Sequence, residues 1–292
     1  MPTRDDVRPL LLWLRDDLRL ADNPALDHAA ASGREMVAVF VLDEVSPNFR
    51  PLGGASKWWL ARSLAVFFED FARIGGRLVL RRGAGGEVVR EIAEEIDAAE
   101  VVWNRRYLPA MVEVDAEAKR RLREAGRRAV SFAATLLHEP QTVKTGGGGA
   151  FRVFTPFWRA CRGGPPPRAP LARPETVRGA SRDLASLRLC DLDLLPTKPD
   201  WAGGLERTWT PGEAGAAARL ARFLDVGLPG YATRRDRPDL DICSHLSPHL
   251  RFGEISPHLI VDAVKRRVES DPSLAADADK FLAELGWREF AH

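Results

Sequence analysis

The residue types and spacings best suited to ligand chemistry lie in the last third of the chain. The segment Cys243–Pro257 reads CSHLSPHLRFGEISP and contains two Ser-Pro pairs nine residues apart. Each pair predicts a helix start, because Ser caps free backbone N–H groups and Pro fits the first helical position. Helix starts attract phosphate through these donors and the positive end of the helix dipole. The segment indicates either a helical hairpin capped at both starts or an anion site where two starts converge.

A second candidate group lies near the carboxyl end, in FLAELGWREF. Glu284, Trp287 and Arg288 are three and four residues apart, so a helix would place them near one face. One interpretation is an intrahelical salt bridge beside a core tryptophan. The other is a ligand site, in which the indole stacks on a planar group and the carboxyl group hydrogen-bonds to it.

Two further motifs carry charge or potential metal ligands. In YATRRDRPD, Tyr231 is followed by a cluster that includes Arg235, which fits either a solvated loop or a phosphate-contacting patch. His245 and His249 are four residues apart, but Pro248 should start a helix that leaves His245 outside. Neither a cysteine nor a third histidine completes the set, so we predict no metal site.

The elements that must position these residues divide the chain into three parts. Residues 1–133 alternate short apolar runs with helical patterns, which predicts an α/β, doubly wound, Rossmann-like domain with a parallel sheet. Its first strand-to-helix turn, LRDDLRLADNP, contains no glycine, so an ordinary NAD-binding domain is excluded. The predicted strands are PLLLWL, MVAVFVL, RLVL, EVVW and VSFA. One predicted helix follows Asn23-Pro24, and another follows Ser56 with an apolar stripe of Leu60, Leu64, Phe67, Phe68 and Phe71.

The remainder of the chain differs in composition and in hydrophobic pattern. Residues 134–205, rich in Gly, Pro and Arg, predict a long interdomain linker, within which the aromatic run VFTPFWRACR should pack onto the domains. Residues 206–292 have only helical patterns. The last helix has no stop signal before His292, so we expect residues 206–292 to be the beginning of a longer helical domain, and the chain to be a fragment.

Composition limits the class of protein. The 43 basic and 41 acidic residues give a net charge of +2, so partners must be inferred from local patches. The three cysteines form no CxxC pair and exclude a disulfide framework. The amino terminus has no apolar stretch of signal-peptide length, and other apolar runs are strand-sized. We predict a cytoplasmic protein without a membrane span.

Five motifs together resemble one family, the DNA photolyases and cryptochromes, and most nearly the class I-like cyclobutane pyrimidine dimer photolyases. They are LLWLRDDLRLADNPAL, WNRRYLP, VFTPFWRA, CSHLSPHLRFGEISP and ELGWREF, in family order. The resemblance implies an antenna domain, a wrapping linker and a helical FAD-binding domain. It also implies a monomeric blue-light enzyme whose reduced flavin passes an electron to a pyrimidine dimer flipped out of DNA.

The resemblance also implies roles for individual residues. Catalytic roles fall to Glu284 and Trp287, and DNA contacts to Arg235, Glu284, Trp287 and Arg288. Cofactor contacts fall to Tyr231, Cys243, Ser244, His245, Leu246, Ser247, Phe281 and Arg288. Cys243 and His245 stand where the family pattern has Thr and Arg, which puts two side-chain phosphate contacts in doubt.

Three questions stay open in the resemblance. Many (6-4) photolyases and animal cryptochromes have Gln at the position of Glu284, which favours the cyclobutane substrate here. A (6-4) photolyase and a cryptochrome photoreceptor without repair activity remain alternatives. The antenna chromophore is a folate, a deazaflavin or absent, since Arg105 replaces the acidic residue of some folate users. We expect the 292 residues alone to retain FAD poorly and to be inactive.

Overall fold

The computed structural model describes residues 8–292, and its amino-terminal part is built around a five-stranded parallel sheet. The strands are β1 (Leu10–Leu14), β2 (Met36–Leu42), β3 (Leu78–Arg82), β4 (Glu100–Asn104) and β5 (Arg128–Phe132). Their order is β3-β2-β1-β4-β5, and every neighbouring pair is parallel. The predicted α/β fold and its five strands are confirmed. Strands β2 and β3 are added on one side of β1, and β4 and β5 on the other. In such sheets a crevice forms at this switch point, between β1 and β4.

Four helices cover the sheet: α1 (Pro24–Ala31), α2 (Gly54–Arg73), α3 (Gly85–Glu95) and α4 (Pro109–Glu124). Asn23 caps α1 as predicted, because its Oδ1 accepts the N–H of Leu26 at 3.1 Å. Helix α2 begins at Gly54, two residues before the predicted cap Ser56. Its predicted stripe is wrong at Phe68, which is 48% exposed because it is rotated about 100° from the buried Phe67.

Apolar side chains form one core on each face of the sheet. Alternation along β1 sends Leu10, Leu12 and Leu14 to the core shared with α1 and α2. Leu11 and Trp13 point to the opposite core, shared with α3 and α4. Burial on both faces explains why the strands are continuous apolar runs and not alternating ones.

The connecting segment 134–205 lies against the sheet and contains one α-helix that the sequence pattern did not indicate. This helix, α5 (Phe154–Gly163), coincides with most of the aromatic run VFTPFWRACR. Further along, the Ala180 N–H donates to the Met36 carbonyl at 3.0 Å, and the Leu187 N–H donates to the Leu80 carbonyl at 2.9 Å. The prediction that this segment packs onto the rest of the chain is therefore confirmed.

The carboxyl-terminal part is helical, as predicted, and has its own apolar core. Its helices are α6 (Gly203–Thr208), α7 (Glu213–Arg222), α8 (Tyr231–Arg234), α9 (Ser247–Arg251), α10 (Pro257–Ser270) and α11 (Ala275–Phe290). A π-helical turn, Phe223–Gly227, continues α7. None of the helices within residues 8–292 is both long and apolar enough to cross a membrane.

The glycine-free loop after β1 joins the two parts. Arg19 is fully buried and donates to the carbonyl oxygens of Asp22, Ala134 and Gly253. These three acceptors belong to the loop, the connector and the helical part. Such a set of buried hydrogen bonds occupies the place where a Gly-rich loop would bind phosphate in a nucleotide-binding domain, so the loop is a structural joint.

Candidate functional site

A cavity of about 310 Å³ opens in the helical part and is lined by all eight residues predicted to bind a cofactor. Its walls come from α8, the segment 243–247, the start of α9, and α11. The lining residues are Tyr231, Cys243, Ser244, His245, Leu246, Ser247, Leu250, Phe281, Glu284, Leu285 and Arg288. The sequence separation between α8 and α11 shows that the fold, and not local spacing, brings these side chains together.

Two buried aromatic rings form the apolar floor of this cavity. Tyr231 and Phe281 are 6% and 4% exposed and meet edge to face, with their centroids 5.6 Å apart. Phe223 packs behind both rings, 4.3 Å from Phe281. Burial raises the pKa of the Tyr231 phenol, so this group stays neutral at physiological pH.

The two Ser-Pro helix starts do not converge on an anion site. Ser256 accepts the Leu259 N–H at 3.0 Å and donates its hydroxyl to the buried carboxylate of Asp22. It is fully buried, so the start of α10 has no room for an anion. The prediction of paired anion-binding starts is wrong at this position, because Asp22 from the sheet domain already occupies it.

The other start, at α9, lies open to the cavity but is short. Its N-cap is Leu246, so Ser247 is the first helical residue and does not cap the helix as predicted. The left-handed backbone of His245, with φ of 53°, turns the chain early and makes Leu246 the capping position. Helix α9 has only five residues, so its dipole is small, and Ser247 contributes an exposed hydroxyl to the cavity wall instead.

The two residues that depart from the family pattern occupy the outer edge of the cavity. The His245 Nε2 atom is 2.6 Å from Asp241 Oδ1, and its ring contacts the Trp209 ring edge to face at 6.0 Å. This hydrogen bond lowers the pKa of the Asp241 carboxyl group. Cys243 is an exposed free thiol. His245 is therefore held by a carboxylate of its own chain and is a weaker candidate for a phosphate contact than an arginine.

Glu284 and Arg235, predicted to contact DNA, form an ion pair with each other at the edge of the cavity. The hydrogen bond to Glu284 is the main cause of the raised pKa of Arg235. The guanidinium of Arg235 also lies 5.7 Å from the centre of the Tyr231 ring. A ligand that donates a hydrogen bond to Glu284 or accepts one from Arg235 must compete with this ion pair.

Trp287 lies apart from the cavity that Glu284 and Arg288 line. Its indole stacks face to face on Phe154 of the connector, with centroids 3.9 Å apart and planes 9° apart, and 49% of Trp287 is exposed. The prediction that Glu284, Trp287 and Arg288 form one cluster is wrong for the indole, because residues 287 and 288 point about 100° apart on a helix. Phe154 lies in the aromatic run VFTPFWRACR, but nothing in the sequence pattern marks it as the partner of Trp287.

Arg288 stands at the boundary between this cavity and a second one, and it is held by a buried neighbour. Its Nη1 donates to Glu289 Oε1 at 3.1 Å. Glu289 Oε2 accepts the backbone N–H groups of Leu137 at 2.7 Å and His138 at 3.3 Å. Burial lowers the pKa of Arg288 and raises the pKa of Glu289 to about 7. Sequence reasoning missed Glu289, since nothing in the helical pattern marks it as buried.

The second site is a groove at the carboxyl ends of β1 and β4, the switch point of the sheet. It consists of two adjoining cavities of about 370 and 640 Å³. Both are lined by Arg15, Asp16, Arg106, Leu108, Met111 and Arg251. Open α/β sheets bind their ligands at this position. Arg105 also lines the groove, but it is held by Glu139 at 3.1 Å.

Arg15 lines this groove and has buried hydrogen-bond donors. It is 6% exposed, and its guanidinium carbon lies 4.2 Å from the centre of the Trp13 ring. One nitrogen, Nη2, donates to the Asn104 carbonyl and to Asp115, while Nε and Nη1 have no partner within residues 8–292. Burial lowers the pKa of Arg15 to about 10, so it remains charged at neutral pH. Buried donors without acceptors indicate a polar or anionic ligand.

Comparison with known proteins places these sites in context. Residues 10–175 match the family described as DNA photolyase. The deoxyribodipyrimidine photo-lyase of Agrobacterium fabrum is 42% identical over 287 residues, which cover 97% of this chain and 58% of the relative. Cryptochrome-1 of Arabidopsis thaliana is 31% identical over 293 residues, covering 96% of this chain and 42% of the relative.

A solved structure agrees closely with the fold. The crystal structure of a bacterial class III photolyase from Agrobacterium tumefaciens superposes with a TM-score of 0.92 at 42% identity, covering 97% of this chain and 58% of that one. The chain thus spans 58% of the length of the two Agrobacterium proteins and 42% of the length of Cryptochrome-1. Because the family match takes in more than half of the chain described here, the protein belongs to the DNA photolyase family.

Proposed function

We propose that this chain provides part of the flavin site and of the lesion site of a light-driven DNA-repair enzyme that splits cyclobutane pyrimidine dimers. The observation that carries the proposal is the position of Glu284. Its carboxylate lines the aromatic-floored cavity and is paired with Arg235 at the edge. A group so placed can reach both a cofactor inside the cavity and a nucleotide entering from outside. The name of the 42% identical Agrobacterium relative supports this assignment.

The residues of the cavity fit one part of FAD. A volume of about 310 Å³ is at the lower end of the roughly 300–1,000 Å³ of small-molecule pockets, and FAD is a large ligand. Hydroxyl groups of Ser244 and Ser247 and the guanidinium of Arg288 suit a phosphate, and the rings of Tyr231 and Phe281 suit a flat apolar surface. We infer that these residues hold FAD from one side. When bound and reduced, FAD supplies the light absorption and the electron that the repair requires.

The protein's own groups then bind and orient the lesion. Glu284 offers a carboxyl group for hydrogen bonds to the base edges, and the exposed face of Trp287 offers a stacking surface. When a lesion displaces Arg235 from Glu284, the guanidinium becomes free to pair with a DNA phosphate. The ion pair thus holds both groups at the edge of the cavity until the substrate arrives.

A repair assay tests this proposal. With reduced flavin and blue light, we expect an oligonucleotide with one thymine dimer to return to intact thymines, and no conversion in darkness. Glu284→Ala should slow the light reaction by about tenfold or more, since hydrogen bonds to charged groups contribute roughly 1.5–3 kcal/mol. Conversion in darkness, or an unchanged rate in Glu284→Ala, would contradict the proposal.

A cryptochrome without repair activity is the second candidate. It is favoured by the 31% identity to Arabidopsis Cryptochrome-1 over nearly the whole chain. The same assay separates the two, because a cryptochrome would show flavin photoreduction without dimer splitting. A (6-4) lesion in the oligonucleotide tests the third possibility, which the carboxylate of Glu284 disfavours.

We further propose that the sheet-edge groove holds an antenna chromophore. The unpaired buried donors of Arg15 support a planar ligand with an anionic or carbonyl group, a description that fits both a folate and a deazaflavin. Met111→Trp should fill the groove and abolish energy transfer to the flavin without changing the rate under direct flavin excitation. Transfer that persists in this variant would place the antenna elsewhere.

The proposal also covers the photolyase class, the oligomeric state and the cellular compartment of the protein. The Agrobacterium tumefaciens structure, 42% identical to this chain, is named as a class III photolyase, so we propose this class in place of the class I-like group that the motifs indicated. We also propose a monomer that acts in the cytoplasm, consistent with its three free cysteines. Sedimentation of the purified protein would test the assembly state.

A further inference from the structure

We infer that Phe154, in the connector helix α5, is a positioning residue that holds the Trp287 indole flat for stacking on a DNA base. This inference rests on the proposed function and extends it to a segment outside the helical part. The two rings are 3.9 Å apart and nearly parallel, 9° between planes. One face of the indole is therefore covered by Phe154. Because 49% of Trp287 is still exposed, the exposed area must be largely the opposite face.

Helix α5 is fixed to α11 independently of this stack. Trp158, one turn beyond Phe154, packs on Gly286, where an added Cβ would lie 2.5 Å from its ring. A further turn along, Arg162 pairs with Asp279 at 3.2 Å. The spacing of Phe154, Trp158 and Arg162 is that of one helical face, which runs antiparallel to α11. Trp287 is therefore not needed to fasten the connector, and its exposure calls for another reason.

The indole is restrained from two directions and left open on the third. Phe154 covers one face, and Phe290 meets it edge to face at 5.8 Å. A ring held in this way loses little conformational entropy when a base stacks on its free face. Base stacking on aromatic side chains is worth roughly 1–3 kcal/mol per base and tolerates any base. The geometry therefore favours a base as the third layer of the stack.

The charge around Phe154 suits a nucleic acid. Arg152 and Arg159 flank it in sequence, and both are exposed. Neither forms an ion pair with another residue of the described range 8–292. Exposed arginines in the same segment as an aromatic stacking residue add positive charge that favours nucleic-acid binding.

Variants in the same helix separate positioning from general packing. We would measure dissociation constants for oligo(dT) with one cyclobutane dimer and for undamaged oligo(dT). Phe154→Ala should weaken binding of the dimer oligonucleotide about threefold to tenfold, the range of one aromatic pair, and Phe154→Tyr should restore it. Phe157→Ala is the matched control, because its ring contacts Phe290 and Phe151 and makes no ring contact with Trp287. Its effect should stay within about twofold.

Fluorine NMR of fluorotryptophan-labelled protein reports directly on the surroundings of the Trp287 ring. The Trp287 signal, assigned with Trp287→Phe, should shift or broaden in Phe154→Ala and stay unchanged in Phe157→Ala. Signals of the other tryptophans should stay unchanged in both variants, apart from that of Trp158, which lies 6.3 Å from Phe154. An unchanged Trp287 signal in Phe154→Ala would overturn the positioning role.

The two oligonucleotides distinguish this inference from the proposed function. If the dimer is preferred but Phe154→Ala and Phe157→Ala behave alike, the positioning role is overturned and the repair function stands. If the dimer is not preferred but only Phe154→Ala weakens binding of undamaged oligo(dT), the stack is supported and the repair function fails. If neither effect is seen, both are overturned.

Discussion

Replacement of Glu289 by Gln should make the protein more stable at alkaline pH and leave it nearly unchanged at acidic pH. Glu289 is 6% exposed, and burial raises the pKa of its carboxyl group from the ordinary 4.5 to about 7. A group whose pKa is raised by folding favours the folded state when protonated. The stability that Glu289 contributes is thus fully present below about pH 4.5, decreases as the pH rises, and is lost above about pH 7.

The size of this effect follows from the shift. Each unit of pKa difference corresponds to about 1.4 kcal/mol, so the change between pH 5 and pH 8 is about 3 kcal/mol. Gln has nearly the same shape and still accepts the Leu137 N–H, but it does not titrate. The free energy of unfolding of Glu289→Gln minus that of the wild type should therefore increase by about 3 kcal/mol over this range.

Urea unfolding followed by circular dichroism at several pH values would measure this difference. Other groups near Glu289 also titrate, among them His138, His292 and Cys161, whose pKa values burial shifts. The contributions of His138 and His292 are present in both proteins and cancel in the difference. The Cys161 thiol, whose pKa burial and the Glu289 charge raise to about 11, does not titrate between pH 5 and pH 8. Parallel pH profiles for the two proteins, or a difference that shrinks as the pH rises, would refute the reasoning about Glu289.

Two further changes test the packing around the sites. Gly286→Ala should destabilise the protein by about 1 kcal/mol in urea unfolding. The new Cβ would lie 2.5 Å from the Trp158 ring, and this overpacking outweighs the gain in helix propensity. A more stable variant would show that Trp158 moves aside freely. Ser256→Ala should lower the free energy of unfolding by about 2 kcal/mol, since it removes the cap of α10 and a hydrogen bond to the buried Asp22. An unchanged unfolding midpoint would show that this contact between the two parts contributes little to stability.

The parts of the fold that follow from local chemistry could be predicted from the sequence. The five strands are short apolar runs of the length and composition of buried parallel strands, and Asn23-Pro24 is a complete local helix-start signal. Both were correct because they depend on neighbours in the chain. Helix α5 was missed because it is only ten residues long and lies in a segment rich in Gly, Pro and Arg, where the sequence pattern indicates a linker.

The failures at the candidate site have a common origin in long-range contacts. Ser256 has the sequence of an open helix cap, but Asp22, more than two hundred residues away, takes its hydroxyl group. Trp287 is three residues from Glu284, a spacing that suggests a shared cavity, but its indole instead stacks on Phe154 of the connector. Neither partner is visible in the local pattern. By contrast, Glu284 and Arg288 were correctly grouped, because a spacing of four on one helix decides their proximity.

The central claim is that FAD binds in the cavity of the helical part, and a titration of FAD against two cavity-filling variants tests it most directly. Ser244 lines this cavity, and Met111 lines the sheet-edge groove. Quenching of flavin fluorescence should show weak binding to the wild-type chain, binding weaker by about tenfold or more in Ser244→Trp, and unchanged binding in Met111→Trp. Unchanged affinity in Ser244→Trp, or loss of binding in Met111→Trp, would contradict the claim.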